Sequence, residues 1–208
     1  MDSISESLRE HYKKTFQKHG ATVKGVDWGE NEATLHLRYD KMLAVIEKGS
    51  AAKPSVLDVG CGFGGLYLYA QMKGIALNYT GIDIVSNMIL WARKNIKKAK
   101  FIEDDFCDHD FSDMSFDYAV CNGILTQKLD ASMMEMDDYA KSLVKKMYGL
   151  CKKAIAFNMM TTYVNYYSPN LYYKHPAETL IYCLSELSKK VKIDHSYVLY
   201  EFTTYVYK

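Results

Sequence analysis

The segment SVLDVGCGFGGLYLYA, residues 55–70, holds the spacing in this chain that points most directly to chemistry. An apolar run is interrupted by Asp58, and Gly60, Gly62, Gly64 and Gly65 follow closely before helix-forming residues resume. Glycines in such a place let the backbone turn sharply and lay its N–H groups flat against a ligand at the N-terminus of the following helix. Gly60, Gly62 and Gly65 also satisfy the dinucleotide spacing G-x-G-x-x-G, with Asp83 roughly 20 residues beyond, where a carboxylate takes ribose hydroxyls. The loop therefore reads as a site for a nucleotide-like molecule. An ordinary glycine-rich turn is disfavoured, because strand, glycines, helix and distal acid occur together. Two features tilt the reading away from a nicotinamide cofactor: Asp58 lies two residues before the first glycine, and a long segment precedes the motif.

The elements that must position these residues follow from periodicity. Ser55–Val59, Asn78–Asp83, Lys100–Glu103, Phe116–Cys121 and Ala154–Met159 are short apolar runs that read as strands. Between them, residues 63–73, 86–98 and a segment opened by Ser132 and Glu135 at capping-box spacing read as helices. Residues 5–18 and 36–48 are expected to be helical too, the second stopped by Gly49, and His175–Pro176 opens a helix towards Lys190. Strands alternating with helices argue for a parallel sheet covered on both faces. Val191–His195 and Glu201–Tyr207 then follow with no helix between them, so the last two strands should pair antiparallel. The expected fold is an α/β, Rossmann-like three-layer sandwich with a mostly parallel seven-stranded sheet and an antiparallel C-terminal hairpin.

Composition bounds the function. The chain's 208 residues suit one domain, and 26 Lys plus Arg against 25 Asp plus Glu supply no general attraction for nucleic acid or anionic membrane. The lysine pairs, such as Lys97/Lys98 and Lys189/Lys190, read as solvated helix ends. No apolar stretch reaches the roughly 20 residues that span a bilayer, and the polar N-terminus reads as no signal peptide, so a cytoplasmic protein is expected. Five scattered cysteines with no C-x-x-C pair indicate neither a disulfide framework nor a zinc site, and no metal is expected. Tyrosine is in excess at 18, with Tyr163, Tyr166, Tyr167, Tyr172, Tyr173 and Tyr182 close together.

VLDVGCGFGG, followed in order by TGIDIVSNMI, FIEDDF and FDYAVCNGIL, resembles the motif series of class I S-adenosylmethionine-dependent methyltransferases over residues 54–126. The resemblance implies that Asp58 and the Gly60–Cys61–Gly62–Gly64 backbone surround the methionine moiety and that Asp83 takes the ribose hydroxyls. It further implies that Asp105 with Phe106 meets the adenine, and that Cys121–Leu125, including Asn122 and Gly123, lines the cofactor near its methyl group. Ile84 and Met88 either pack on the adenine or serve the core. Of the adjacent Asp104 and Asp105, one is expected to touch adenine and the other to be a solvated loop charge. The [DNS]-P-P-[YF] motif of enzymes that methylate nucleic-acid bases is replaced here by CNGI.

The expected activity is methyl transfer to a small molecule from a domain of three parts: a helical cap (1–50), the cofactor motifs (54–126) and an aromatic substrate-side insertion (160–176). Tyr12, His19, Trp28 and Arg38 of the cap can close the site, Arg38 being offered to the methionine carboxylate. An oxygen acceptor calls for a base; His195 is the candidate, beside His175, His19 and the carboxylates, although a structural histidine is the favoured reading, since its neighbour Asp194 would face the other side of the strand. Two other readings compete: a nicotinamide-dependent oxidoreductase using Gly60, Gly62, Gly65 and Asp83, and a non-catalytic S-adenosylmethionine-binding scaffold that meets a partner through its tyrosines.

Overall fold

The computed structural model describes residues 2–47, 53–112 and 115–208. Strands β1 (Ser55–Val59), β2 (Asn78–Asp83), β3 (Lys100–Glu103), β4 (Phe116–Cys121), β5 (Cys151–Thr161), β6 (Tyr173–Lys174), β7 (Val191–Asp194) and β8 (Glu201–Tyr207) alternate with helices α1 (Asp2–His19), α2 (Glu32–Leu43), α3 (Gly65–Met72), α4 (Ser86–Asn95), α5 (Met133–Leu150) and α6 (Pro176–Glu186). They form one sheet of order β3-β2-β1-β4-β5-β8-β7, with β6 paired to β5 off that path. β1 to β5 run parallel to one another, and β8 lies antiparallel between β5 and β7. A dinucleotide-binding sheet of order 3-2-1-4-5-6 has no such antiparallel strand. The seven strands on the main path agree with the expected sheet, and β6 adds a two-residue eighth.

Successive side chains of a strand point to opposite faces, and both faces here are apolar. Leu57, Val59, Ala119, Cys121, Ile155 and Phe157 face one layer, where Met136, Leu143 and Met147 of α5 and Cys183 of α6 complete the cluster. Val56, Tyr118, Val120, Ala154 and Ala156 face the other, packing on Tyr39 and Met42 of α2, Leu66 and Ala70 of α3 and Ile89 of α4. Fully burying each large apolar side chain contributes about 1.5–3 kcal/mol, and these two layers hold the strand ends in place.

The ends of several elements differ from the periodic reading, α4 for one stopping at Asn95 rather than at 98. α2 begins at Glu32, with Asn31 accepting from the Ala33 N–H at 2.9 Å. Its first turn is exposed and polar, so no apolar rhythm marks it before Leu35. It ends at Leu43, and the expected stop at Gly49 lies outside the described residues. β5 extends past 154–159 in both directions: Cys151 pairs with Phe116 of β4 at one end, and Met160 and Thr161 pair with β6 at the other, Met160 also pairing with β8. α6 ends at Glu186, short of Lys190. The expected capping box of α5 is present, Ser132 and Glu135 each bonding the other's N–H.

Candidate active site

The sheet order reverses direction between β1 and β4, and in open α/β sheets the crevice beyond the carboxyl ends of strands at such a switch point receives ligands. A cavity with about 880 Å³ of empty space, open to solvent, lies there and is lined from β1, β2, β4 and the loops that leave them. It joins two kinds of wall.

The first wall is polar. β1 ends at Val59, and the chain turns through Gly60 (φ +73°) and Gly62 (φ +54°) into α3. A Cβ at Gly60 would stand 2.5 Å from the Ile124 Cδ1 on the opposite rim, so bare backbone is what lets the loop close on the segment after β4. Asp83, at the end of β2, holds the loop: one carboxylate oxygen accepts from the Gly62 N–H at 2.7 Å and the other from the Val85 N–H at 2.9 Å. Burial pushes its pKa up to about 6 against those hydrogen bonds. Asp58 is only 2% exposed yet lines the cavity. It accepts from the Tyr79 hydroxyl at 2.5 Å, and burial pushes its pKa up to about 7, with the Tyr79 bond opposing and the Asp83 charge adding to the rise. No Lys, Arg or His lines this cavity among the described residues, so Asp58 and Asp83 face it without a cation.

The second wall is aromatic and comes mostly from the cap. Ile4, Leu8, Tyr12 and Phe16 recur every four residues and so share one side of α1; Leu8 and Tyr12 reach the cavity. The loop after α1 brings Val26 and Trp28, α2 brings Tyr39, and α5 brings Tyr139. His11 and Gln127 both bond the Asp27 carboxylate, at 2.8 and 3.1 Å, which ties the cap to the segment after β4. Trp28 lies against Gly123, where φ is +107° and a Cβ would be 2.7 Å from the indole Cζ2.

Of the residues singled out by sequence, Asp58, Gly60, Cys61, Gly62, Asp83, Ile84, Met88, Phe106, Asn122 and Gly123 line the cavity, as do Tyr12 and Trp28. Gly64 does not: it is the left-handed residue before α3, and its missing Cβ leaves room for Ile96 and Phe101 behind the loop. Asp104, not Asp105, lines the cavity next to Phe106. Asp104 pairs with His109 at 2.7 Å, whereas Asp105 turns back to accept from the Cys107 N–H at 2.8 Å. Arg38 is also elsewhere: its guanidinium is buried on the Glu201 carboxylate and stacked 3.9 Å from the Trp28 ring centroid. His195 is exposed beside Tyr163 and Phe202 outside the cavity, and its neighbour Asp194 is turned to Lys41 and Ser196. His175 caps α6 and bonds Tyr163, and His19 is the half-buried last residue of α1, outside the cavity lining.

The insertion at 160–176 docks on the segment after β4 through the Tyr172 N–H to Thr126 O (2.8 Å) and the Asn170 amide to Gln127 (2.9 Å), but none of its residues lines the cavity. Tyr172 and Tyr173 are buried in its footing, and Tyr163, Tyr166 and Tyr167 face solvent. The tyrosines that do line the cavity are Tyr12, Tyr39 and Tyr139. Asn158 and Glu201, which sequence reasoning passes over, stand buried behind the wall; their signal is a polar side chain inside or opening an apolar strand.

A family model described as a methyltransferase domain matches residues 56–152. Rv1506c of Mycobacterium tuberculosis, which bears a methyltransferase name, is 31% identical over 162 residues, covering 76% of this chain and 96% of that protein. The fold is similar to that of magnesium protoporphyrin IX methyltransferase from Synechocystis PCC 6803, solved with bound S-adenosylmethionine: TM-score 0.69, 13% identity, 98% of this chain and 96% of the other. It is likewise similar to the plantazolicin methyltransferase BpumL, solved with a desmethyl-plantazolicin analogue: TM-score 0.63, 13% identity, 100% and 99%. The ordered motifs, the antiparallel β8 and the relationship to Rv1506c lead to one conclusion: the chain belongs to the class I S-adenosylmethionine-dependent methyltransferases.

Proposed function

We propose that this methyltransferase acts on a small organic molecule held between the polar and aromatic walls, in the cytoplasm. The observation that carries the binding half of this reading is Asp58, a buried carboxylate aimed at the cavity with no cation beside it. A buried charge without a partner is costly, and a ligand that brings an ammonium and a sulfonium relieves that cost. The residues fit S-adenosylmethionine in other respects. Asp83 keeps lone pairs for a ribose diol beyond the two N–H bonds it accepts. Met88 and Phe106 offer apolar surface for an adenine, Asp104 a carboxylate for its amino group, and the bare Gly60 and Gly62 backbone room for the methionine chain. Once bound, the cofactor supplies a methyl group activated by positive sulfur. The chain's own contribution is to hold acceptor and cofactor in line and keep water out, which can lower a barrier by about 7–11 kcal/mol through orientation alone.

The acceptors named for solved relatives, magnesium protoporphyrin IX and a plantazolicin analogue, support a small acceptor, as does a cavity without the basic side chains that track phosphates. Five free cysteines suit a reducing compartment. Calorimetric titration with S-adenosylhomocysteine tests the reading. Micromolar binding with one site per chain is expected, and absence of binding at millimolar ligand would overturn it.

A further inference from the structure

The aromatic wall of the cavity is not needed for the cofactor contacts assigned above. Tyr12, Trp28 and Tyr139, with Leu8 and Ile124, form a surface of flat rings and aliphatic edges. Burial pushes the pKa of the Tyr12 and Tyr139 hydroxyls upward, so both remain neutral and protonated. The ionisable acids that line the cavity are Asp58, Asp83 and Asp104, and no Lys, Arg or His lines it among the described residues. An anionic group entering beside this wall would lose its water, find no cationic side chain to pair with and approach carboxylates, which is unfavourable. One polar atom stands out: the Asn122 Oδ1 is buried and accepts no hydrogen bond. Asn122 lines the cavity immediately after β4, next to Gly123 and Trp28. A buried acceptor without a donor is unfavourable until a partner arrives.

On the methyltransferase reading above, we propose that this wall takes an uncharged aromatic acceptor, one that presents an N–H or O–H group to Asn122 Oδ1, and that it rejects carboxylated or phosphorylated rings. Ring faces and edges of Tyr12, Trp28 and Tyr139 match a flat apolar body, for which aromatic pairs are favoured beyond their buried area. The Asn122 carbonyl fixes the orientation of the polar end. The discrimination is built in by what is absent from the wall as well as by what is present, since no Lys, Arg or His lines it among the described residues.

The test uses full-length protein saturated with S-adenosylhomocysteine and titrated calorimetrically with two matched probe pairs, 2-naphthol against 6-hydroxy-2-naphthoate and indole against indole-5-carboxylate. The neutral member of each pair is expected to bind at least tenfold tighter. Tyr12→Arg, which places a cation in the wall, is expected to narrow or invert that preference, and Asn122→Leu to weaken the neutral probes about tenfold. Equal or tighter binding of the carboxylates by the wild-type protein, or no ring binding at all, would overturn the proposal. Failure of S-adenosylhomocysteine to bind would instead strike the underlying cofactor reading, so the two failures are separable.

Discussion

The Arg38 guanidinium on α2 and the Glu201 carboxylate at the start of β8 are buried against each other, joining two segments far apart in sequence. The contact closes a ring. Glu201 also accepts from the Asn158 amide at 2.7 Å, Asn158 accepts from the Gly123 N–H at 2.9 Å, Gly123 lies against Trp28, and Trp28 lies under Arg38. β5 and β8 thereby hold the loop after β4 and the cap against each other, with the cavity's aromatic wall as the product. Arg38 is a positioning residue in this arrangement, and its charge is spent on Glu201.

Breaking the pair from one side leaves a buried charge uncompensated, which typically costs 3–5 kcal/mol, whereas replacing both sides with apolar groups can be near neutral. Glu201→Met alone is therefore expected to lower the melting temperature by roughly 6–20 °C, taking about 2–4 °C per kcal/mol at this size. Arg38→Met should behave similarly, and the double variant should recover most of the loss. Additive single effects in thermal unfolding would show that the two charges are not coupled.

Asp83 does two jobs through one carboxylate. It pins Gly62 and Val85 and, on the proposed reading, receives the ribose. Asp83→Ala removes charge-assisted hydrogen bonds and is expected to weaken S-adenosylhomocysteine binding by about 1–3 kcal/mol, roughly 5- to 150-fold. Asp83→Asn retains a carbonyl acceptor for one of the two N–H groups and should lose less. Unchanged affinity in Asp83→Ala, measured by calorimetry, would remove the ribose assignment.

How far the sequence reaches can be seen in particular residues. The strands β1 to β4 and β8 stand out because each is an apolar run cut off by proline, glycine, aspartate or charge, and the glycine loop with Asp83 is local in the same sense. β6 leaves no such trace, since two residues become a strand only by pairing with Met160 and Thr161. Arg38 has no local reason to turn from the cavity; Glu201 supplies it from a distant strand. Asp104 and Asp105 are equivalent as letters, and His109 decides between them by engaging Asp104. The tyrosine excess misdirects for the same reason. It is densest in an insertion that props the wall from outside, and the lining tyrosines are spread over three helices.

Gly123 is a position where backbone and wall are coupled. Its φ of +107° disfavours any side chain, and a Cβ would run into Trp28. Gly123→Ala is expected to cost about 1–3 kcal/mol and to displace the indole, read as a lower melting temperature together with a shifted tryptophan emission in a Trp91→Phe background. Loss of stability with unaltered Trp28 emission would show that strain is relieved without moving the wall.

The two buried carboxylates make both folding and binding depend on pH, with opposite signs. Asp58 and Asp83 have folded pKa values near 7 and 6, above the usual carboxylate value of about 4, so between those limits the folded apo protein binds more protons than the unfolded chain. These groups therefore make the apo protein more stable as pH falls from about 7 towards 4, and less stable as pH rises through the same window. A ligand bearing an ammonium prefers the ionised carboxylates, so its affinity should fall as pH drops below about 7 and continue falling through 6. S-adenosylhomocysteine binding near pH 6.5 should release protons, visible as a calorimetric enthalpy that changes with the ionisation enthalpy of the buffer. Asp58→Asn removes the higher of the two titrations. It is expected to raise apo stability at pH 8 by about 1 kcal/mol or more while weakening the ligand, because the carboxylate that burdens the empty fold is the one the cation needs. Affinity independent of pH between 5.5 and 8, with no buffer dependence of the enthalpy, would show that neither carboxylate meets the ligand's charge.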